Sequence, residues 1–339
     1  MKRIGIAFTG VPFSIEELVN YVKLAEKKGF ESVWFAEDYY LRDSITPLAC
    51  FALSTKKIKI AAGVINPYTR HPALIAMTIA TLDELSHGRA ILGMGAGVPS
   101  VIKQIMPQMR PLATVKDCIE VIRKLLKEEN VSYDGKMVKV NKVTLGVCPY
   151  FEPYGRFRVY RNNIPIYVAG MSPKMLQLTG EVGDGALISV GFSPEHTKKA
   201  IENIKIGAEK AKRKFEDLDI AAYILFSPSK DGTISEATKG FISLCVTQFF
   251  DMETLRLSGF KEDEVEKIKE SYTKGGYKEA VKYITDDMVN ALGVAGTPEK
   301  CHEGLERYEK VGVKIPIILP LGVDDVKFAI NTASEYASS

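Results

Sequence analysis

Two adjacent carboxylic acids, Glu37 and Asp38, directly follow a short apolar run that is predicted to be a β-strand. Because successive side chains of a strand point to opposite faces, one of the two acids would point into the protein and the other away from it. Burial raises the pKa of a carboxyl group, and a carboxyl group tuned in this way can act as a general acid. The alternative role is a helix cap or an ion pair. Both residues are candidate catalytic groups.

A second candidate site begins where another predicted strand ends. Gly170, Met171 and Ser172 join this strand to a helix whose first residue is Pro173. The free N–H groups at the start of a helix bind phosphate, and the helix dipole favours the negative charge. The alternative is that Ser172 only caps the helix.

A third candidate is the glycine cluster of residues 93–97. Its spacing does not match G-x-G-x-x-G, since Val98 and Ser100 occupy the positions of the missing glycines and Pro99 interrupts the helix start. A dinucleotide site of the Rossmann type is therefore disfavoured. The cluster either allows close packing of the backbone or lets the backbone approach a flat ring or a polar cofactor chain.

The composition excludes several other classes of protein. Lys and Arg number 45 against 42 Asp and Glu, and without a basic run this balance argues against a nucleic-acid partner. No apolar run reaches about 18 residues, and no signal peptide is recognisable, so we expect a cytoplasmic protein without a membrane span. The five cysteines and four histidines are scattered without metal-binding spacing, so we expect reduced thiols and no metal site.

The elements that would position these residues alternate along the chain. Nearly every predicted strand is followed by a helical pattern, and eight such units favour a (β/α)8 TIM barrel over a doubly wound sheet. The site of such a barrel lies at the carboxyl ends of the strands, where Ser189 joins the candidates above. The predicted strands are 4–8, 33–36, 58–65, 90–94, 166–169, 186–189, 220–226 and 315–319.

We interpret residues 1–339 as a single domain with two insertions. The first is a hairpin and loop at about 131–163, where the dipeptide Asp134-Gly135 indicates a tight turn. We expect its second part, 144–163, to be an ordered loop over the mouth of the barrel; the alternatives are a mobile lid and a subunit contact. The second insertion is helical and covers about 235–292.

Several segments resemble the bacterial-luciferase-like superfamily. Residues 66–72 (NPYTRHP), 79–83 (IATLD) and 88–95 (GRAILGMG) carry the likeness. Within the superfamily they are most similar to the archaeal methylenetetrahydromethanopterin reductases, which use the deazaflavin coenzyme F-420. The resemblance implies a TIM barrel, a deazaflavin or flavin at its carboxyl-end mouth, and a hydride transfer to a small molecule in one-carbon metabolism.

The resemblance also implies roles for individual residues. A bulge at Gly63-Val64, with a non-prolyl cis peptide, would lie behind the cofactor ring, and Asn66 would lie near the ring and the substrate. The residues that would bind the cofactor are Gly63, Val64, Asn66, Gly95, Ala96, Gly97, Gly170, Met171, Ser172 and Ser189, with Gly170–Ser172 at its phosphate.

Three positions depart from the family pattern. Ala7 stands where the reductases have Glu, Glu37-Asp38 stands where they have Asp-His, and Val98 stands where related F-420-dependent dehydrogenases have Glu. Opening a bridged methylene pterin requires a proton at a ring nitrogen, and Ala7 cannot donate one, so Glu37 is the candidate acid. The departures leave two alternatives, an FMN-dependent monooxygenase and a flavin-binding protein without turnover. A homo-oligomer is also expected.

Overall fold

The computed structural model describes residues 2–106, 109–148 and 150–339. Eight parallel strands close into a barrel in the order β1, β2, β3, β4, β7, β8, β9 and β11, with β11 paired back to β1, so the predicted TIM barrel is confirmed. The strands are β1 (Gly5–Phe8), β2 (Ser32–Phe35), β3 (Lys59–Ala62), β4 (Ala90–Met94), β5 (Val131–Asp134), β6 (Lys139–Val143), β7 (Ile166–Ala169), β8 (Gly185–Ile188), β9 (Asp219–Pro228), β10 (Val294–Gly296) and β11 (Ile315–Leu319).

Helices follow most of the barrel strands and cover the outside of the barrel. They are α1 (Ile15–Lys27), α2 (Ile45–Ser54), α3 (Pro72–Leu85), α4 (Pro99–Ile102), α5 (Pro111–Leu126), α6 (Pro173–Val182), α7 (Pro194–Lys210), α8 (Glu236–Leu244), α9 (Met252–Leu257), α10 (Glu262–Gly275), α11 (Tyr277–Ala280), α12 (Asp286–Leu292), α13 (Pro298–Lys310) and α14 (Val326–Ser338). In the described part of the chain no helix is both long and apolar enough to cross a bilayer.

Side-chain alternation along the barrel strands creates two apolar layers. In β2, Val33 and Phe35 pack outward against the helices, whereas Trp34 points into the barrel. The side chains that fill the barrel, called the interior cluster below, are those of Ala7, Trp34, Ala61, Ile91, Tyr167, Leu187, Ala221, Ile315, Ile317 and Leu319. Because both faces of each strand are buried, the strands appear in the sequence as continuous apolar runs.

The predicted strand 58–65 is interrupted by a bulge. Ala61 pairs with Ile91 and Ile65 pairs with Met94, so four steps along one chain match three along its neighbour. The peptide bond between Gly63 and Val64 is cis, as predicted. Among the described residues, the bonds Val11-Pro12 and Tyr39-Tyr40 are also cis.

The first insertion contains the antiparallel hairpin of β5 and β6. The described residues of the loop that follows contact the amino-end side of the barrel, so the expectation that this loop covers the mouth is wrong. Arg161 binds Asp83 and the carbonyl oxygen of Ala90, which begins β4, and Tyr160 packs against His87. These contacts place the loop at the amino ends of the strands, because the buried carboxylate of Asp83 at the end of α3 attracts the arginine there.

The second insertion contains α8–α12, with a π-helical turn at Cys245–Phe249. β10 was not predicted; it follows α12 and pairs in parallel with the carboxyl end of β9. With only three residues, β10 is too short to show a periodic pattern.

Candidate functional site

The carboxyl-end mouth of the barrel has an apolar floor. Five partly buried side chains, each from within or just beyond a different barrel strand, pack against the interior cluster. They are Val64, Ala169, Val190, Tyr223 and Leu321. This surface, called the floor below, is the kind of apolar surface on which a planar ring can lie.

The bulge of β3 lies at the floor and depends on a glycine. The hydroxyl of Tyr223 donates a hydrogen bond of 3.1 Å to the carbonyl oxygen of Gly63. A Cβ atom at position 63 would lie 1.9 Å from this hydroxyl oxygen, so no larger residue fits beside Tyr223. Val64 packs on the other side against Gly95, where a Cβ would lie 3.0 Å from the valine Cγ2.

Asp38 lies at the mouth, on the interior side of the chain after β2. It is four residues beyond Trp34, so alternation directs both side chains inward. Its Oδ2 accepts a hydrogen bond of 2.9 Å from the backbone N–H of Gly10. Burial raises the pKa of Asp38, and burial together with the charge of Asp38 raises the pKa of Tyr223. Asp38 therefore has the property that a general acid needs.

Glu37 points the other way and forms an ion pair. Its carboxylate accepts hydrogen bonds from Arg70 (3.3 and 3.4 Å), from the hydroxyl of Tyr39 (2.9 Å) and from that of Ser44 (3.0 Å), and its side chain is only 5% exposed. Both oxygens of this carboxylate are therefore already occupied by partners within the protein. The geometry favours Asp38 over Glu37 as the acid.

Asn66 is 1% exposed and belongs to a polar network beside the mouth. Its Oδ1 accepts hydrogen bonds from the backbone N–H groups of Tyr68 and Thr69, and its Nδ2 donates to the hydroxyl of Tyr39. Burial, and then the charge of Glu37, raise the pKa of Tyr39 to about 12. Tyr39 was not among the predicted site residues. Its position directly after the two acids is the feature of the sequence that could have indicated it.

The remaining predicted residues lie at neighbouring strand ends. Gly95 is next to Ala169, since a Cβ on Gly95 would lie 3.4 Å from the Ala169 Cβ. Gly170–Ser172 follow β7, and the exposed Ser172 caps α6 by accepting a hydrogen bond of 3.4 Å from the N–H of Met175. Ala96 and Gly97 lead from β4 towards α4, and Ser189 directly follows β8.

A cavity of about 350 Å³ opens between the loops that follow β2 and β3. Asp38 lines it, so it adjoins the mouth; it is called the side pocket below. Two other cavities, of about 380 and 320 Å³, lie on the outer surface beside α5 and α6 and include none of the predicted site residues. Among residues 2–106, 109–148 and 150–339, no group of three or more His, Cys, Asp or Glu could hold a metal ion.

The sequence that forms this barrel matches a known protein family. Residues 3–314 match the model of the luciferase-like monooxygenase family. The chain belongs to this family. The resemblance that the motifs indicated is thus confirmed.

Several relatives of this chain are named as reductases. It is 35% identical over 332 residues to 5,10-methylenetetrahydromethanopterin reductase of Archaeoglobus fulgidus, with 96% of each chain covered. It is 31% identical to the protein of the same name from Methanopyrus kandleri, covering 92% of this chain and 91% of the relative. The solved coenzyme F420 dependent tetrahydromethanopterin reductase of that organism matches with a TM-score of 0.88 at 29% identity, covering 99% of this chain and 98% of that one.

Proposed function

We propose that this protein is a coenzyme F-420-dependent oxidoreductase that reduces a methylene pterin of the tetrahydromethanopterin type to its methyl form. The names of the relatives support the cofactor and the substrate class. The observation that carries the proposal is the partly buried carboxyl of Asp38 beside an apolar floor, because this pair offers a proton donor next to a place for a planar ring.

The residues at the mouth fit a deazaflavin. Val64 and Tyr223 would lie against one face of the ring, which leaves the opposite face for the substrate. The start of α6, capped by Ser172, offers N–H groups to a phosphate on the side chain of the cofactor. The floor is apolar, which suits a fused aromatic ring better than a sugar or a nucleotide phosphate.

The chain itself would supply positioning, a dry site and a proton. Reduced coenzyme F-420 would supply the hydride when bound and would be oxidised in the same step. Asp38 would hold a proton on its carboxyl group and deliver it to the pterin nitrogen whose bond to the bridging carbon breaks. The resulting carboxylate would then stabilise the cationic pterin, and the floor would keep water away. Tyr223 would hold the bulge in place through the carbonyl oxygen of Gly63.

The test is to titrate the purified protein separately with F-420 and FMN and then to assay hydride transfer. We expect tighter binding of F-420 and oxidation of reduced F-420 that depends on methylenetetrahydromethanopterin. Glucose 6-phosphate and a secondary alcohol, assayed in the reverse direction with oxidised F-420, serve as comparison substrates. Preference for FMN with oxygen consumption would contradict the proposal, as would F-420 binding without turnover of any pterin.

Two further predictions accompany the proposal. The homo-oligomer and the cytoplasmic location that we expect from the sequence stay predictions. They can be checked by measuring the solution mass of the protein and by fractionating cells that produce it.

A further inference from the structure

The side pocket has an unusual wall for a cavity at the surface. Three of its apolar side chains are well exposed, namely Tyr40 (61%), Leu41 (56%) and Leu74 (41%). Large apolar side chains that cluster around a concave surface usually mark a binding site. The floor accounts for the ring of a cofactor, whereas the side pocket lies beyond Asp38 and is not needed for it.

Two arginines complete the wall. Arg70 lies against Glu37 at 3.3 Å, and Arg42 donates a hydrogen bond to the carbonyl oxygen of Phe13. Each guanidinium is thereby held in place by one edge. The planar face of a fixed guanidinium stacks well on an aromatic ring.

The remaining charges of the side pocket are already bound within the protein. The carboxylate of Glu37 is neutralised by Arg70, and the carboxylate of Asp43 accepts hydrogen bonds from the backbone N–H and the hydroxyl of Thr46. Asp38 faces the mouth, where it binds the N–H of Gly10. The carboxylates of the wall are thus already engaged, which disfavours a metal ion, and the exposed apolar side chains favour an aromatic ring.

We propose that the side pocket binds an aromatic group of the substrate that takes no part in the reaction, while the reacting carbon lies at Asp38. The inference rests on the proposed function for the placement of the reacting carbon. A cavity of about 150 Å³ holds benzene, so 350 Å³ has room for one aromatic ring and its polar linker. Tetrahydromethanopterin carries such an aryl group on an amine next to its pterin ring.

The decisive variant is Leu74→Asp, which places a carboxylate on the apolar wall. Position 74 lies in the first turn of α3, where an acidic residue favours the helix, so the variant should fold. The matched control is Leu53→Asp, which adds the same charge at a 72% exposed leucine of α2 outside the side pocket. Thermal unfolding of the three proteins checks that they are folded.

Two ligands test the side pocket and the proposed function separately. The first is N-methylaniline, an aryl fragment whose binding is followed by NMR and by crystal soaking and requires no reductase activity. The second is tetrahydromethanopterin, titrated into protein loaded with F-420, alongside a tetrahydropterin that lacks the aryl group. We expect Leu74→Asp to weaken both aryl probes about tenfold or more, and Leu53→Asp to leave them unchanged. The affinity for F-420 and for the pterin without the aryl group should change less than about twofold.

The outcomes are distinct. Two results would overturn the inference. One is equal binding of N-methylaniline to the wild type and to Leu74→Asp, and the other is electron density for N-methylaniline only outside the side pocket. Loss of the fragment in Leu74→Asp, in a protein that binds F-420 but no pterin, would support the side pocket and refute the pterin as substrate. Weakening of F-420 in Leu74→Asp to the same extent as the pterin would assign the side pocket to the cofactor instead and would also overturn the inference.

Discussion

At the scale of single residues, Asp38 and Glu37 differ in what surrounds them. Burial raises the pKa of Asp38, whereas the carboxylate of Glu37 is bound to Arg70 in an ion pair. We therefore expect Asp38→Asn to lower kcat about 100-fold or more, with little change in the affinity for F-420. Single-turnover oxidation of reduced F-420 measures this effect.

The raised pKa of Asp38 also predicts how turnover depends on pH. A carboxyl group with a raised pKa keeps its proton to higher pH, so turnover should fall as the pH rises through that pKa. This fall in turnover is the alkaline limb of the pH profile, and Asp38→Asn should remove the limb. Glu37→Gln is the matched control: it should lower the melting temperature because it weakens the ion pair with Arg70, yet keep the limb. A limb that disappears in Glu37→Gln instead would return the role of acid to Glu37.

Ser172 tests the phosphate site with little disturbance of the fold. Asp caps a helix about as well as Ser, so Ser172→Asp should change the free energy of unfolding by less than about 0.5 kcal/mol. The added charge would repel a phosphate at the start of α6, and we expect the Kd for F-420 to rise about tenfold or more. Equilibrium titration by fluorescence measures it.

The control for this prediction is Thr285→Asp. Thr285 is also exposed and caps α12 by accepting a hydrogen bond of 3.1 Å from the N–H of Met288. It lies outside the predicted cofactor site, so the affinity for F-420 should not change. If both variants bind F-420 as the wild type does, the phosphate lies at another loop.

At the scale of elements, α6 and α7 approach each other through two glycines. A Cβ on Gly180 would lie 1.9 Å from the carbonyl oxygen of Ile204, and a Cβ on Gly207 would lie 1.8 Å from that of Gln177. Backbone atoms cannot rotate away as a flexible side chain can. We expect Gly207→Ala to force the helices apart and to lower the free energy of unfolding by about 2 kcal/mol or more.

Gly240→Ala is the control for helix propensity. Gly240 lies within α8, where its Cβ would meet only side chains, the nearest being Tyr277 at 3.3 Å. Alanine favours a helix over glycine by up to about 1 kcal/mol, so this variant should be as stable as the wild type or more stable. Urea unfolding of both variants tests the contrast, and equal loss of stability in the two would contradict close packing as the cause.

The sequence predicts elements well where one pattern governs their whole length. The eight barrel strands are buried on both faces and stand out as apolar runs, and the capping box of Ser14 and Glu17 marks the start of α1. The bulge in β3 has no such pattern, since Gly63 is required by the hydroxyl of Tyr223, which lies 160 residues further on. The loop 144–163 was misplaced for the same reason, because its ion pair partner Asp83 is distant in sequence.

The sequence predicts which strand ends form the candidate site, but it does not predict how the side chains there are arranged. The positions of Glu37 and Asp38 after β2 are clear in the sequence. Which of the two faces the mouth depends on the register of β2 within the barrel, and the ion pair with Arg70 depends on how the next loop folds back. The side pocket is formed by two loops and is therefore visible only in three dimensions.

At the scale of the whole molecule, a charged network closes the amino end of the barrel. Arg3, just before β1, donates hydrogen bonds of 2.7 and 2.8 Å to Glu31 and also binds Asp219, the first residue of β9. Lys59 adds a bond of 2.6 Å to Glu31, and the hydroxyl of Tyr167 donates one of 2.6 Å to Asp219. The network thus connects five barrel strands at the end opposite the mouth, through residues that lie in these strands or just before them.

This network makes the stability of the barrel depend on pH. Burial alone would raise the pKa of Glu31 and of Asp219, but the hydrogen bonds from Arg3 and its neighbours more than offset it, and both are lowered. A carboxyl group whose pKa is lowered by folding contributes stability above its unfolded pKa of about 4, and this contribution is lost as the pH falls through the folded value.

Arg3→Met should remove most of this contribution. We expect it to lower the free energy of unfolding by about 2 kcal/mol at neutral pH. The difference from the wild type should begin to shrink below about pH 4 and disappear once the pH has fallen through the lowered folded pKa values of the two carboxyl groups. The control is Arg256→Met, whose ion pair with Glu262 is largely exposed and should contribute less than about 1 kcal/mol. Urea unfolding across the pH range measures both gaps. A gap for Arg3→Met that stays constant with pH would mean that the arginine stabilises the amino end by packing, because only the loss of charge partners makes the difference depend on pH.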